Sequence, residues 1–144
     1  MSGREVQAIT FENLGESITG YMSVPENEGP HAAVIVLPAI AGMNTYIKDI
    51  TTCLADEGFI GLAIDIYSRE GQAPDLSSPG KVMQAVADLS DPRVVSDTVA
   101  AVKYLKSQGN VKKDGIGVLG FCIGGTHSFL TACETDEIQA AVDF

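Results

Sequence analysis

Along much of this chain, apolar residues come in continuous blocks rather than alternating with polar ones. Ala32-Ala33-Val34-Ile35-Val36-Leu37-Pro38 and Ile60-Gly61-Leu62-Ala63-Ile64-Asp65-Ile66-Tyr67 read as strands buried on both faces. Between them, Ile47, Ile50, Thr51, Leu54 and Phe59 recur near one helical face from Thr45, with Asn44 or Thr45 as cap and Gly58 as stop. Strand, helix and strand in that order predict a βαβ unit and a parallel pair. A second amphipathic helix runs from Pro92 to about Ser107 on Val95, Val99, Val102 and Leu105, with Asp91 where an N-cap belongs. Gly115 to Phe121 is a further strand, a helix-competent run starts at Thr126, and Ile138 to Phe144 reads as another strand. The opening is different. Val6 to Phe11 and Ser17 to Val24 are short strands joined by Asn13-Leu14-Gly15-Glu16, which predicts an antiparallel hairpin. Ser68 to Ser90 is the least regular stretch, with a short helix within Lys81 to Leu89. An insertion after a strand's C-terminal end is either a substrate cover or a plain surface crossover.

Composition narrows the class. At 144 residues, with 45% hydrophobic and 19% charged residues, the chain suits one globular domain with a sizeable core. A formal net charge of −10 argues against nucleic acid and anionic membranes as partners. Cys53, Cys122 and Cys133 form neither a CxxC pair nor a Cys/His cluster. Neither a disulfide framework nor a metal site is therefore expected, and no cofactor is implied. Met1 to Glu5 leads into a polar, alternating segment without an apolar h-region, and no apolar run approaches membrane-spanning length. Odd, unpaired cysteines and no signal peptide give a cytoplasmic expectation.

The chemistry concentrates at Gly120-Phe121-Cys122-Ile123-Gly124-Gly125, between a strand and a helix. Strand, sharp turn and helix is the context of a nucleophile elbow, here as G-x-C-x-G-G with cysteine in place of serine. A nucleophile projecting from a strained turn leaves no room for side chains two residues either side, which accounts for Gly120 and Gly124. Gly125 lets the following helix approach the sheet closely. The helix N-terminus beside the sulfur favours a thiolate, and the Ile123 backbone N–H would supply half of an oxyanion hole. A buried cysteine in a glycine-rich connection is the bland alternative. Three glycines at the required offsets favour the elbow.

GFCIGG after a strand ending Gly-Val-Leu, with VIVLPAIAGMN and IGLAIDIYSRE upstream, resembles the dienelactone hydrolase family (carboxymethylenebutenolidases) from Val6 to Phe144. The resemblance implies a three-layer α/β-hydrolase fold, with a mainly parallel sheet and an N-terminal antiparallel hairpin. It implies a Cys-His-Asp triad acting on small esters or lactones, with Cys122 as nucleophile and no metal or organic cofactor. It also places a second oxyanion N–H at Ile40. The family's loop usually carries a glutamate just before that isoleucine, where this chain has Ala39, so an ionisable switch on the thiol is absent. Arg69, Lys81 and Arg93 are candidates for holding a substrate carboxylate, although each reads more simply as a solvated surface charge.

The base and its orienting acid are missing from this reading. His127 lies five residues past Cys122 on the same helix, too close to turn back onto the sulfur, and reads as a packing or surface histidine. His31 precedes a strand at the opposite sheet end and reads as solvated. Glu134, Asp136, Glu137 and Asp143 do not lie beyond a later strand. Two or three more βα units of ~30 residues would be needed, so the fold is expected to be incomplete at the C-terminus and the triad histidine and aspartate to lie outside this chain. A rival class is a truncated, non-catalytic paralogue that pairs its open sheet edge with a partner. A redox-sensing thiol at Cys122 ranks below both. Oligomeric state is not legible.

Overall fold

A computed structural model describes residues 6–144; the expectation for Met1 to Glu5 falls outside them. The chain folds in the order β1 (Gln7–Asn13), β2 (Glu16–Ser23), β3 (His31–Leu37), α1 (Thr45–Asp56), β4 (Ile60–Ile64), α2 (Pro79–Asp88), α3 (Asp91–Lys106), β5 (Val111–Gly120), α4 (Ile123–Glu134) and β6 (Ala140–Asp143). The strands form one sheet in the order β1-β2-β4-β3-β5-β6. The β1–β2 and β2–β4 pairs are antiparallel, while β4, β3, β5 and β6 run parallel. The expected hairpin is present. Its turn is Leu14-Gly15, both at positive φ (52° and 81°), the two-residue form whose twist matches the strands it joins.

The continuous apolar blocks become the sheet centre because both faces are covered. On one face Ile35, Leu62 and Val118 pack with Ala101, Val102 and Leu105 of α3. On the other, Val36 and Ala63 pack with Ile47 of α1. Alternate residues of β3 thus serve opposite cores, as a period of two requires. Helix α4 packs beside α3 and against β5 and β6, completing helix, sheet and helix layers. All four residues of β6 are exposed, and β6 pairs only with β5.

Several local expectations shift. Asn44 caps α1, its side chain accepting from the Ile47 N–H at 3.0 Å. Phe59 lies beyond that helix and is 39% exposed, because the chain leaves helical geometry at Gly58 (φ 93°). The strand expected through Tyr67 ends at Ile64, where Asp65 turns the chain by accepting from the Tyr67 N–H at 3.0 Å. The cap of α3 is Ser90 rather than Asp91: the Ser90 hydroxyl accepts from the Arg93 N–H. Asp91 is the first helical residue, and its carboxylate is engaged elsewhere. In the irregular stretch, α2 begins two residues earlier than expected, at Pro79 behind a Ser78 cap.

Candidate active site

The elbow is built by backbone. Cys122 has φ 55° and ψ −118°, a conformation rare for a side-chain-bearing residue. Such an outlier costs about 1–3 kcal/mol and persists only where its surroundings over-determine it. The surroundings here are explicit. The Cys122 N–H donates to the Phe144 carbonyl at 2.8 Å, and the Phe121 N–H to the Leu37 carbonyl at 3.2 Å. The Gly124 N–H donates to Phe121 and the Gly125 N–H to Cys122, closing the first turn of α4. A Cβ on Gly120 would overlap the Gly124 carbonyl. One on Gly124 would lie 2.5 Å from the Leu37 oxygen and 2.6 Å from the Pro38 oxygen. One on Gly125 would meet the Asp143 Cβ at 3.2 Å. At Gly120 and Gly124 another backbone comes too close for a side chain, while at Gly125 the approach to β6 is tight but less severe. The Cys122 side chain itself is exposed.

The loop after β3 lies against the same turn. It closes a reverse turn in which the Gly42 N–H donates to the Ala39 carbonyl at 2.9 Å. Ile40 and Ile123 both pack onto one small cluster of Ile66, Tyr67, Leu89 and Val94. Among the described residues, neither the Ile40 N–H nor the Ile123 N–H has a hydrogen-bond acceptor. The Ile123 N–H is the first of α4, where no intrahelical acceptor exists, and it directly follows the exposed Cys122. The Tyr67 hydroxyl donates to the Ile40 carbonyl at 2.6 Å. Burial, with Glu70 and Asp65 adding to it, pushes the Tyr67 phenol above its ordinary pKa, which keeps the hydroxyl protonated. Sequence reading did not single out Tyr67, because it looked like the last residue of a strand.

Other sequence candidates fall elsewhere. His127 is fully buried, and its Nε2–H donates to Asp91 Oδ1 at 2.8 Å, tying α4 to α3; of the two readings offered for it, packing holds. His31 is at the N-terminal end of β3, opposite the elbow, but it is not solvated: it is buried and bonds the Asn27 carbonyl at 3.0 Å. Arg69 is likewise not a solvated charge. Its two terminal nitrogens fork onto both carboxylate oxygens of Asp97 at 2.6 and 2.8 Å, and the Asp97 side chain is only 2% exposed. That planar fork is why arginine suits the position. Arg93 pairs with Glu70, and Lys81 reaches Asp75 across an exposed surface. Glu134, Asp136 and Glu137 line a groove between α3 and α4, away from Cys122. Among the described residues no group of three or more His, Cys, Asp or Glu side chains is placed to hold a metal ion. Nor is any described helix long and apolar enough to cross a membrane.

A mixed sheet with this strand order, helices on both faces and a strained strand-to-helix turn defines an α/β-hydrolase. The comparison with known sequences narrows this further. Residues 18–144 match the pattern of the dienelactone hydrolase family, and the chain belongs to that family. It is 48% identical over 130 residues to a probable 2-oxo-3-(5-oxofuran-2-ylidene)propanoate lactonase of Bradyrhizobium, covering 90% of this chain and 52% of that protein. It is 33% identical to a putative carboxymethylenebutenolidase of Synechocystis, covering 86% of this chain and 52% of the relative. The chain thus spans about half the length of the curated relatives it matches. Among solved structures, a dienelactone hydrolase-like promiscuous phosphotriesterase from metagenomic libraries superimposes with a TM-score of 0.84 at 26% identity, covering 99% of this chain and 59% of that one. A putative dienelactone hydrolase of Klebsiella pneumoniae shares the fold with a TM-score of 0.86 at 24% identity, covering 96% and 59%.

Proposed function

We propose that this chain carries the nucleophile and oxyanion-binding half of a hydrolase for small carboxylic esters or lactones, with Cys122 as the nucleophile. The observation that carries the reading is the Cys122 backbone at φ 55°, held between glycines that have no room for a side chain. Nothing in packing alone calls for a cysteine there, since the thiol is exposed. The names of the relatives, a lactonase and carboxymethylenebutenolidases, support the bond type.

In the reaction, Cys122 Sγ attacks the carbonyl carbon and a C–S bond forms. The carbonyl π electrons move onto oxygen, and the Ile40 and Ile123 N–H groups hold the resulting oxyanion. Donors fixed in advance cost no reorganisation at that moment, and each is worth about 10²–10³ in kcat. Collapse breaks the C–O bond and releases the alcohol, or in a lactone the ring-opened hydroxyl. Water then attacks the thioester and frees the acid. The α4 N-terminus places the positive end of a helix dipole beside the sulfur throughout. Both steps need a general base. His31 is at the wrong sheet end and His127 is buried against Asp91, so that base comes from residues other than these two. With Ala39 rather than an acidic residue before Ile40, activation of the thiol rests on the helix terminus and that base.

The test is Cys122→Ala against the unchanged protein, assayed on dihydrocoumarin and a p-nitrophenyl ester. Loss of turnover by at least ~10³-fold is expected, as for removal of a nucleophile. Undiminished hydrolysis would sink the assignment.

A further inference from the structure

We infer that Tyr67 is a positioning residue for the oxyanion loop: its hydroxyl and ring together hold Ile40 in place beside Cys122. The inference rests on the reading of Cys122 and Ile40 given above, and deepens it by naming what fixes the second donor.

Three observations converge on Tyr67. Its hydroxyl donates to the Ile40 carbonyl at 2.6 Å across 27 residues of sequence. Its ring lies under Gly42, where an added Cβ would sit 2.8 Å from the Tyr67 Cδ2. Gly42 also has φ 77° and closes the turn on the Ala39 carbonyl, so the loop packs against the ring at the point where it reverses. Finally, Ile40 and Ile123 contact the same cluster that contains Tyr67, with Ile66, Leu89 and Val94. A loop of small residues, Ala39-Ile40-Ala41-Gly42, has little bulk of its own to resist movement. An oxyanion donor displaced by a fraction of an ångström loses much of its effect, because only preorganised donors stabilise developing charge.

Tyr67 is itself anchored. Its N–H donates to Asp65 Oδ1, and the neighbouring Ser68 hydroxyl donates to the Asp65 carbonyl at 2.6 Å and accepts from the Thr19 N–H at 3.0 Å. The hydroxyl is therefore presented from the end of β4 by a turn that is already hydrogen-bonded to β2. Tyr67 touches no reacting atom in this account. It acts through Ile40.

The consequence separates two reactions of one thiol. Addition of Cys122 Sγ to 2,2,2-trifluoroacetophenone forms a C–S bond and moves the carbonyl electrons onto oxygen, creating an oxyanion that the loop must hold. Alkylation by iodoacetamide displaces iodide and creates none. With Cys53 and Cys133 changed to serine, Tyr67→Phe is expected to weaken the hemithioketal, followed by ¹⁹F NMR, by about 5–50-fold, less than the ~10²–10³ that goes with deleting a donor outright. The rate of iodoacetamide alkylation should stay within about twofold, because the hydroxyl does not act on the sulfur. Gly42→Ala disturbs the same contact from the loop side and should give the same selective loss, which keeps the test informative if either variant folds poorly. Equal loss in both reactions, or loss in neither, overturns the assignment of Tyr67. If Cys122→Ala still forms the adduct, the reading of Cys122 falls and Tyr67 is not the cause.

Discussion

The strand ends at the elbow side of the sheet follow two opposite designs. Where β3 and β5 end, small residues and glycines leave backbone donors unpaired: the Ile40 and Ile123 N–H groups have no acceptor among the described residues. Where β4 ends, polar side chains are consumed. Asp65 accepts from the Tyr67 N–H, Ser68 links Asp65 to Thr19, and Tyr67 reaches Ile40. Arg69 forks onto Asp97, which also accepts from Asn13 Nδ2 at 2.8 Å. One region leaves backbone donors unpaired among the described residues. The other satisfies its polar side chains within the fold, and in the proposed reading it is the scaffold on which the first rests.

Four substitutions sharpen that contrast. Asp97→Ala carries the largest expected effect, a loss of about 3 kcal/mol in urea unfolding, because it strands the Arg69 guanidinium in a mostly buried place and releases Asn13. A loss below about 1 kcal/mol would mean the β4 end is not a scaffold in this sense. Gly124→Ala comes next. Its Cβ would lie 2.5 Å from a carbonyl oxygen of β3, and about 2 kcal/mol of destabilisation is expected from such overpacking. Gly58→Ala is the control: φ is 93° there but nothing lies within 4 Å, so only the left-handed backbone cost of about 1 kcal/mol applies. Equal losses at the two glycines would remove the close-approach argument. The smallest effect has the opposite sign. Cys122→Gly relieves a strained φ and should raise stability by about 1 kcal/mol while removing the thiol. Destabilisation there would show that the cysteine is kept for packing.

Much of the fold was legible in advance. The strand blocks, the hairpin, the βαβ unit and the two helices with apolar stripes all form close to where periodicity placed them, because burial on one or two faces leaves a direct record in residue order. The need for glycine at 120 and 124 was legible for a different reason: a close backbone approach leaves no room for a side chain, and that requirement is local. The misreadings share a cause. Arg69 and His31 looked like surface charges because their partners, Asp97 and the Asn27 carbonyl, give no sign in spacing. Asp91 looked like a cap, yet its carboxylate is taken by His127, 36 residues later.

The sequence alone therefore determined which segments are strands, which are helices, and where a side chain cannot exist. These are properties of single residues and their near neighbours, written by hydrophobic burial and backbone sterics. Only the tertiary structure decided which polar groups find one another. Tyr67 meets Ile40, Arg69 meets Asp97 and His127 meets Asp91 because the sheet order brings distant segments together. A hydrogen bond is directional and short, so its partner is set by ångström-scale placement that no periodicity encodes.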